Sequence, residues 1–227
     1  MTQPGNCDVA VRSGDLLLFS GRGWTSDVIR VFTRSRWSHV GMVVCLPEQA
    51  EPLVLESTTL GESRDIMLGR PVPGVSLVPL SDKIREYPGE VALRRRHGPD
   101  LDSYQQRLLA RMVQRLLHRP YKNYLLCNAL DVLTGFSRRP DQRGWFCSEL
   151  VAELYRRLGW LPPDIRPSVF VPGHFGSRRM RLVAGKLGPL AILKGEPTLT
   201  TTSALPANSN PATDCQTAAH GTLLPLQ

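Results

Sequence analysis

The chain has 227 residues, 41% of them hydrophobic and 21% charged, which suffices for one sizeable core or for one domain plus a tail. The formal net charge of +8 favours anionic partners, but the basic residues are scattered without interleaved aromatic residues, which argues against specific nucleic-acid binding. Five cysteines at irregular spacing, with no CxxC pair, argue against a disulfide framework and against a structural zinc site.

The sequence shows no targeting or membrane-spanning segment, and its composition changes near the C-terminal end. Residues 1–6 show no basic region followed by an apolar run, and no run of about 18 apolar residues occurs anywhere. With no signal peptide or transmembrane segment visible, we expect a cytoplasmic protein whose thiols stay reduced. From residue 195 onward Thr, Ser, Pro, Ala and Asn dominate, which predicts a domain at 1–194 and a disordered tail at 195–227.

Short apolar runs between turn residues predict strands, mostly in the first half of the chain. They cover residues 15–20, 38–45, 53–57, 75–80 and 90–94, with a possible short strand at 65–68 and late strands at 180–183 and 190–193. The runs at 38–45 and 53–57 flank a turn that contains Pro47 and Pro52. We expect them to form a hairpin, which predicts antiparallel order in the sheet.

Apolar residues at helical spacing predict helices at 25–33, 82–86, 102–118, 121–133 and 147–158. Asp102 with Gln105 three residues later is a capping-box pattern at the start of the clearest of them. Residues 168–175 contain Pro172 and Gly173 and predict a loop. The expected fold is therefore α+β, with a small antiparallel sheet or partial barrel packed on the helix that begins near residue 147.

Cys147 stands in the first turn of that last helix, on the apolar face that it shares with Leu150, Val151 and Leu154. A helix N-terminus offers unpaired N–H groups and the positive end of the helix dipole, and both stabilise the nucleophilic thiolate. A buried cysteine on an apolar face is also typical of an inert core residue. The helix alone leaves both interpretations open.

A nucleophilic cysteine needs a base, and the base needs an acceptor that orients it. His39 lies in the strand at 38–45, where a strand would hold it rigidly; His174, in a Pro-Gly-His-Phe loop, is the alternative base. Glu56 lies on the strand expected to pair with that of His39 and is the candidate orienting group. Asp15 is its rival, although its Ser-Gly-Asp context favours a turn residue.

Several blocks of the sequence, taken in chain order, resemble a known family. They are residues 14–19, 37–44, 55–57, 119–124 and 146–151, of which Ser38-His39-Val40-Gly41 and Cys147-Ser148-Glu149-Leu150-Val151 are the specific ones. Over about residues 12–175 the chain resembles the circularly permuted papain-like amidase family. This is the YaeF/YiiX-like branch of the NlpC-type superfamily, to which lecithin–retinol acyltransferase-like proteins are related. In that branch the histidine strand precedes the cysteine helix.

The resemblance implies a permuted papain-like (NlpC-type) fold and a Cys-His-Glu site, with Cys147 as nucleophile, His39 as general base and Glu56 orienting the histidine. It implies a substrate-binding or oxyanion role for Tyr121, although Pro120 and Asn123 depart from the Gly-Lys-x-Tyr-Asp type of pattern in that block. The backbone N–H of Cys147 is the favoured oxyanion donor, because a helix start presents free N–H groups. No cofactor and no metal are expected.

The implied function is that of a thiol-dependent hydrolase, which cleaves an amide or ester bond through a thioester intermediate. The substrate would be a peptide, an amide- or ester-containing small molecule, or a lipid. One alternative is a lipid acyltransferase of the lecithin–retinol acyltransferase type. Another is a non-catalytic binding module on the same scaffold. The basic composition would suit peripheral contact with anionic surfaces, and the sequence does not indicate an oligomeric state.

Overall fold

The computed structural model describes residues 10–21, 35–59, 63–122 and 144–195, all of which belong to one unit, Met1–Pro197. The predicted helix at 25–33 lies outside the described residues, as do most of the predicted helix at 121–133 and residues 196–227 of the predicted tail. Tyr121 and Lys122, at the start of that second helix, are described and are not helical.

Six strands form one antiparallel sheet in the described part of the chain. They are β1 (Leu16–Ser20), β2 (His39–Val44), β3 (Leu53–Thr58), β4 (Gly74–Pro79), β5 (Glu90–His97) and β6 (Lys186–Lys194). Their order in the sheet is β4-β3-β2-β1-β5-β6, and each neighbouring pair is antiparallel. The α+β class, the antiparallel order and the hairpin of β2 with β3 are confirmed, and the sheet is open.

Four α-helices accompany the sheet over the described ranges. They are α1 (Leu80–Glu86), α2 (Ser103–Leu116), α3 (Cys147–Arg157) and α4 (Pro172–Gly176), with a 3-10 turn at Pro167–Val169. The capping box of α2 is confirmed: the Asp102 side chain accepts from the Gln105 N–H at 2.8 Å, and Gln105 Oε1 accepts from the Asp102 N–H at 3.2 Å. None of the helices seen here has both the length and the apolar character needed to cross a membrane.

Both faces of the sheet are covered, because successive side chains of a strand point to opposite faces. One face packs on α3 and on part of α2 and includes Leu16, Leu18, Val40, Met42, Leu53 and Leu55. The other face is completed by residues of α1 and by Tyr87, which follows it, and includes Leu17, Phe19, Val43, Val54, Val91 and Leu93. Burial on both faces explains why these strands are continuous apolar runs rather than alternating ones.

Three local predictions are wrong. Residues 65–68 form a turn rather than a strand, because Asp65 Oδ1 accepts the N–H groups of Met67 and Leu68 and so replaces strand pairing. The predicted loop at 168–175 holds part of the 3-10 turn and most of α4, which are too short to give a periodic pattern. Residues 180–183 are not a strand, and the predicted strand at 190–193 begins earlier, at Lys186, where it pairs with His97.

Residues 94–96 are a run of three arginines on β5. Arg94 and Arg96 are buried and only Arg95 is exposed. The Arg94 guanidinium donates to the carbonyl oxygens of Phe175, Ser177 and Gly188, so it fastens α4 and the start of β6 to β5. These two arginines stabilise the fold and do not contribute to a basic surface.

Candidate active site

Cys147 is the first residue of α3, and it is only 1% exposed. The helix is preceded by Phe146, whose carbonyl accepts the hydrogen bond of the Leu150 N–H at 2.9 Å. The N–H groups of Cys147, Ser148 and Glu149 lie ahead of that first helical bond, at the positive end of the helix dipole. The thiol therefore lies beside a group of donors that suits negative charge.

Side-chain hydrogen bonds fix α3 in place at both of its ends. Ser57 Oγ on β3 donates to the carbonyl of Trp145 at 2.7 Å, just before the helix, and Ser148 Oγ donates to the carbonyl of Phe170 at 2.6 Å. Near the other end, the Tyr155 hydroxyl donates to the Gly14 carbonyl at 2.6 Å. The start of α3 is thus held against the strand that carries Glu56.

His39 is the first residue of β2, and its side chain is 16% exposed. Its Nε2 lies 2.8 Å from Glu56 Oε2, and its ring lies close enough to Cys147 for the two side chains to interact electrostatically. Because Nε2 is used by Glu56, Nδ1 is the nitrogen left for the thiol. The ring also packs against Phe19, with 5.2 Å between centroids. The structure thus brings together Cys147, His39 and Glu56.

The pKa of His39 reflects both neighbours. Burial by itself lowers the pKa of an imidazole, but the negative charge of Cys147, together with the hydrogen bond and charge of Glu56, raises it to about 9. At neutral pH the imidazolium form of His39 is therefore favoured beside Cys147. A cation in that position stabilises a cysteine thiolate, which is the nucleophilic form of the side chain.

Glu56 is 1% exposed and uses both of its oxygens. Oε2 faces His39, and Oε1 accepts a hydrogen bond from Lys83 Nζ at 2.7 Å. Burial favours the neutral acid, yet the charge of Lys83 and the hydrogen bond from His39 outweigh it and lower the pKa of Glu56 to about 2. The carboxylate is therefore ionised throughout the physiological range.

Lys83 is a member of this cluster that the sequence did not reveal. It lies on α1, is 3% exposed, and is the buried residue of that helix. Asp82 and Arg85 lie within two positions of it in the same short helix. Charged residues so close together predict a helix face that is exposed to solvent. A usable signal would have been the apolar positions around it, Leu80, Ile84 and Tyr87, which place position 83 toward the core.

Tyr121 also belongs to the surroundings of Cys147. Burial and the negative charge of Cys147 raise the pKa of the phenol, so its hydroxyl stays protonated and able to donate a hydrogen bond. Its ring packs edge-on against Phe146 at 5.8 Å, and its backbone forms a parallel bridge with Trp145. Tyr121 thus flanks the residues that lead into α3.

The two alternative residues have other partners. The Asp15 carboxylate accepts hydrogen bonds from the N–H groups of Arg96 and Arg12, at 2.8 and 3.2 Å, as the turn interpretation predicts. His174 Nδ1 accepts from the Val171 N–H at 3.3 Å, and its ring lies edge-on to Phe170. His39, rather than His174, is the imidazole that interacts with Cys147.

The acidic and imidazole groups near Cys147 are arranged as partners of one another. Within the ranges that the structure describes, no group of three or more His, Cys, Asp or Glu side chains is placed to hold a metal ion. Moreover, the Lys83 ammonium occupies one oxygen of Glu56, and a positive charge at 2.7 Å disfavours a cation at that carboxylate.

No protein-family model matches this chain, and a comparison with curated proteins finds no match. Among solved structures, the chain is similar to the crystal structure of the metalloprotein YiiX from Escherichia coli O157:H7. The two share 22% sequence identity with a TM-score of 0.46, over 82% of this chain and 98% of that one.

Proposed function

We propose that this protein is a cysteine hydrolase that cleaves an amide or ester bond through a thioester on Cys147. One observation carries the proposal: a cysteine at the first position of a buried helix lies beside His39 and interacts with its ring, and His39 is held at 2.8 Å by an ionised, buried Glu56. Nucleophile, base and orienting group are the three parts that such chemistry needs.

In the proposed mechanism His39 takes the thiol proton, and the Cys147 thiolate attacks the carbonyl carbon to form a C–S bond. The carbonyl oxygen becomes an oxyanion, which the N–H groups at the start of α3 stabilise, with the Tyr121 hydroxyl as a further donor. The imidazolium then gives its proton to the departing amine or alcohol as the C–N or C–O bond breaks. Glu56 keeps the ring oriented and stabilises its positive charge.

Water resolves the thioester in the second half of the cycle. His39 takes a proton from the water as its oxygen attacks the acyl carbon, and the C–S bond breaks. The products are a carboxylic acid and the regenerated thiol. If an amine or alcohol takes the place of water, the same thioester gives acyl transfer instead of hydrolysis.

The proposal includes the permuted papain-like arrangement. Chain order supports it: the histidine strand β2 and the glutamate strand β3 precede the cysteine helix α3, and α3 packs on β2 and β3. Burial of the cysteine face of α3 against the strands that carry the base and the acid is what such a site requires.

The first test is thiol reactivity, because it needs no knowledge of the substrate. Wild-type protein is alkylated with iodoacetamide at pH 6, and the labelling of each cysteine is followed by peptide mass spectrometry. We expect Cys147 to react at least about 10-fold faster than Cys45, because only a small fraction of an ordinary thiol is ionised at that pH. Cys45 is exposed, and burial raises the pKa of its thiol, so it serves as an internal reference.

The second test is turnover of a panel of fluorogenic amides and esters by the wild type, Cys147→Ala and the matched control Cys45→Ala. We expect Cys147→Ala to lose at least about 10³-fold in kcat/KM and Cys45→Ala to retain wild-type values. Equal labelling of the two cysteines, or turnover that survives in Cys147→Ala, would overturn the proposal in favour of a binding module. Adding an acceptor amine separates transferase from hydrolase by the product formed.

A further inference from the structure

Lys83 is a buried charge that the proposed mechanism does not use. Its ammonium lies 2.7 Å from Glu56 Oε1 and over the rings of Phe19 and Tyr87, at 5.3 and 5.6 Å from their centroids. The side chain is 3% exposed. Burying an ammonium costs far more free energy than leaving it on the surface, so the protein maintains this charge against a large desolvation penalty.

The positive charge of Lys83 balances the negative charge of the other groups in the candidate site. From α1 to α3 the charges alternate along a chain of contacts: Lys83 positive, Glu56 negative, His39 positive and Cys147 negative in the thiolate form. Without Lys83 the remaining three would carry a net negative charge in a largely buried site. A buried carboxylate that lacks a countercharge takes up a proton more readily.

We propose that Lys83 is a positioning residue of the candidate site, which holds Glu56 ionised and fixes its carboxylate so that one oxygen faces His39. This inference rests on the proposed function. Lys83 contacts neither the thiol nor any reacting atom, so it would act only through Glu56 and His39. The low pKa of Glu56, about 2, has the charge of Lys83 as the largest contribution that lowers it.

The pH dependence that follows involves each titratable group packed around Glu56. These are Lys83 from α1, His39 from β2 and Tyr87 after α1, with Cys147 from α3 on the far side of the histidine and Tyr121 beside Cys147. In the wild type Glu56 stays ionised in weak acid, so its own titration does not contribute to the acid limb of Cys147 reactivity. Without Lys83, Glu56 is protonated at a higher pH, the imidazolium loses its partner, and the thiolate is lost with it.

The test measures the rate of Cys147 alkylation between pH 3 and pH 9 in the wild type and in Lys83→Met, which is close in shape and uncharged. We expect the acid limb of Lys83→Met to move up by about 1–3 pH units, which lowers the rate near pH 5 about 10-fold or more. The matched control is Lys186→Met, on the exposed first position of β6, whose profile should coincide with that of the wild type.

A purely structural role would lower the stability of Lys83→Met and leave the acid limb in place, and that result would overturn the inference. Lys83→Gln keeps a donor for Glu56 Oε1 without the charge and is expected to show the same shift. If neither variant folds, the uncharged pair Lys83→Met/Glu56→Gln is compared with Glu56→Gln. We expect Cys147 to be alkylated at equal rates in these two variants, because Lys83 acts only through an ionised Glu56. A wild-type profile in the double variant would refute the proposed role of Lys83.

The two proposals fail in different ways. A Cys147 that reacts no faster than Cys45 in the wild type overturns the proposed function. A reactive Cys147 whose profile is unchanged by Lys83→Met and Lys83→Gln overturns the role of Lys83 alone.

Discussion

Cys147 is both nearly inaccessible, at 1% exposure, and in contact with an imidazole. Burial in apolar surroundings makes a cysteine inert, because it favours the neutral thiol. Burial beside a positive partner has the opposite consequence, since electrostatic attraction is stronger where water is excluded. The identity of the residue in contact, and not the exposed fraction, therefore decides whether this thiol reacts.

Tyr121 provides a test at the scale of a single hydroxyl group. Tyr121→Phe keeps the ring that packs on Phe146 and removes the hydroxyl that we propose as a donor to the oxyanion. Loss of an oxyanion donor costs about 10²–10³-fold in kcat, and we expect a loss in this range with KM little changed. Steady-state kinetics on the best amide or ester of the panel measure it.

The control for this substitution is Tyr104→Phe, because Tyr104 is 66% exposed on α2 and has no role in the proposed chemistry. It should leave kcat and KM at wild-type values. If Tyr121→Phe is within twofold of the wild type, Tyr121 acts only in packing and the backbone N–H groups of α3 are sufficient donors.

At the scale of elements, the hairpin of β2 and β3 determines whether His39 meets Glu56. The register pairs Met42 with Leu55 and Val44 with Leu53. Gly41 lies between His39 and this paired region, where a Cβ atom would come within 2.7 Å of Val54 Cγ1 and 3.5 Å of Glu56 Cβ. Glycine is thus required for the close approach of the two strands next to the site.

We expect Gly41→Ala to lower the free energy of unfolding by about 1–3 kcal/mol, because an added methyl group overpacks the space between the strands. The same displacement should lower the alkylation rate of Cys147 at pH 6, since it separates His39 from Glu56. Urea unfolding and alkylation measure the two effects. Gly195→Ala is the control, because a Cβ atom there meets nothing within 4 Å. Equal stabilities and equal alkylation rates of the two variants would contradict the requirement for glycine at position 41.

The strands and the helix of the site could be predicted because their sequence patterns are local. An apolar run after His39, another before Glu56 and a helical stripe starting at Cys147 each specify an element and its position. Contacts between distant elements leave no such local pattern. Lys83 lies in a charged helix, and its burial depends on how α1 packs on the sheet. The Asp65 turn depends in the same way on a hydrogen bond that Asp65 Oδ2 accepts from the N–H of Leu77 on β4.

At the scale of the whole molecule, Glu56 links stability to pH. Its pKa is about 2 in the folded protein against an ordinary value of 4.5, so folding favours the ionised form. The stabilisation is present above about pH 4.5 and is lost as the pH falls toward 2. A difference of this size corresponds to a loss on the order of 3 kcal/mol in the free energy of unfolding.

Urea unfolding at pH 5, 4 and 3 measures this loss. The matched reference is the Lys83→Met/Glu56→Gln variant, which lacks the titrating carboxylate and its ion pair while keeping similar side-chain volumes. We expect the wild type to lose more stability than the reference over this range. If the free energy of unfolding falls equally with pH in the two proteins, the ionised form of Glu56 is not stabilised by its partners.

The order of elements along the chain has a consequence for folding. His39 and Cys147 are 108 positions apart, whereas His39, Glu56 and Lys83 lie close together in sequence. Closing the longer loop costs more chain entropy, and such non-local contacts form late. A chain still being synthesised thus contains the base and its support before it contains the thiol. In the proposed mechanism the nucleophile is activated only when α3 docks, so a chain that still lacks α3 cannot carry out the proposed reaction.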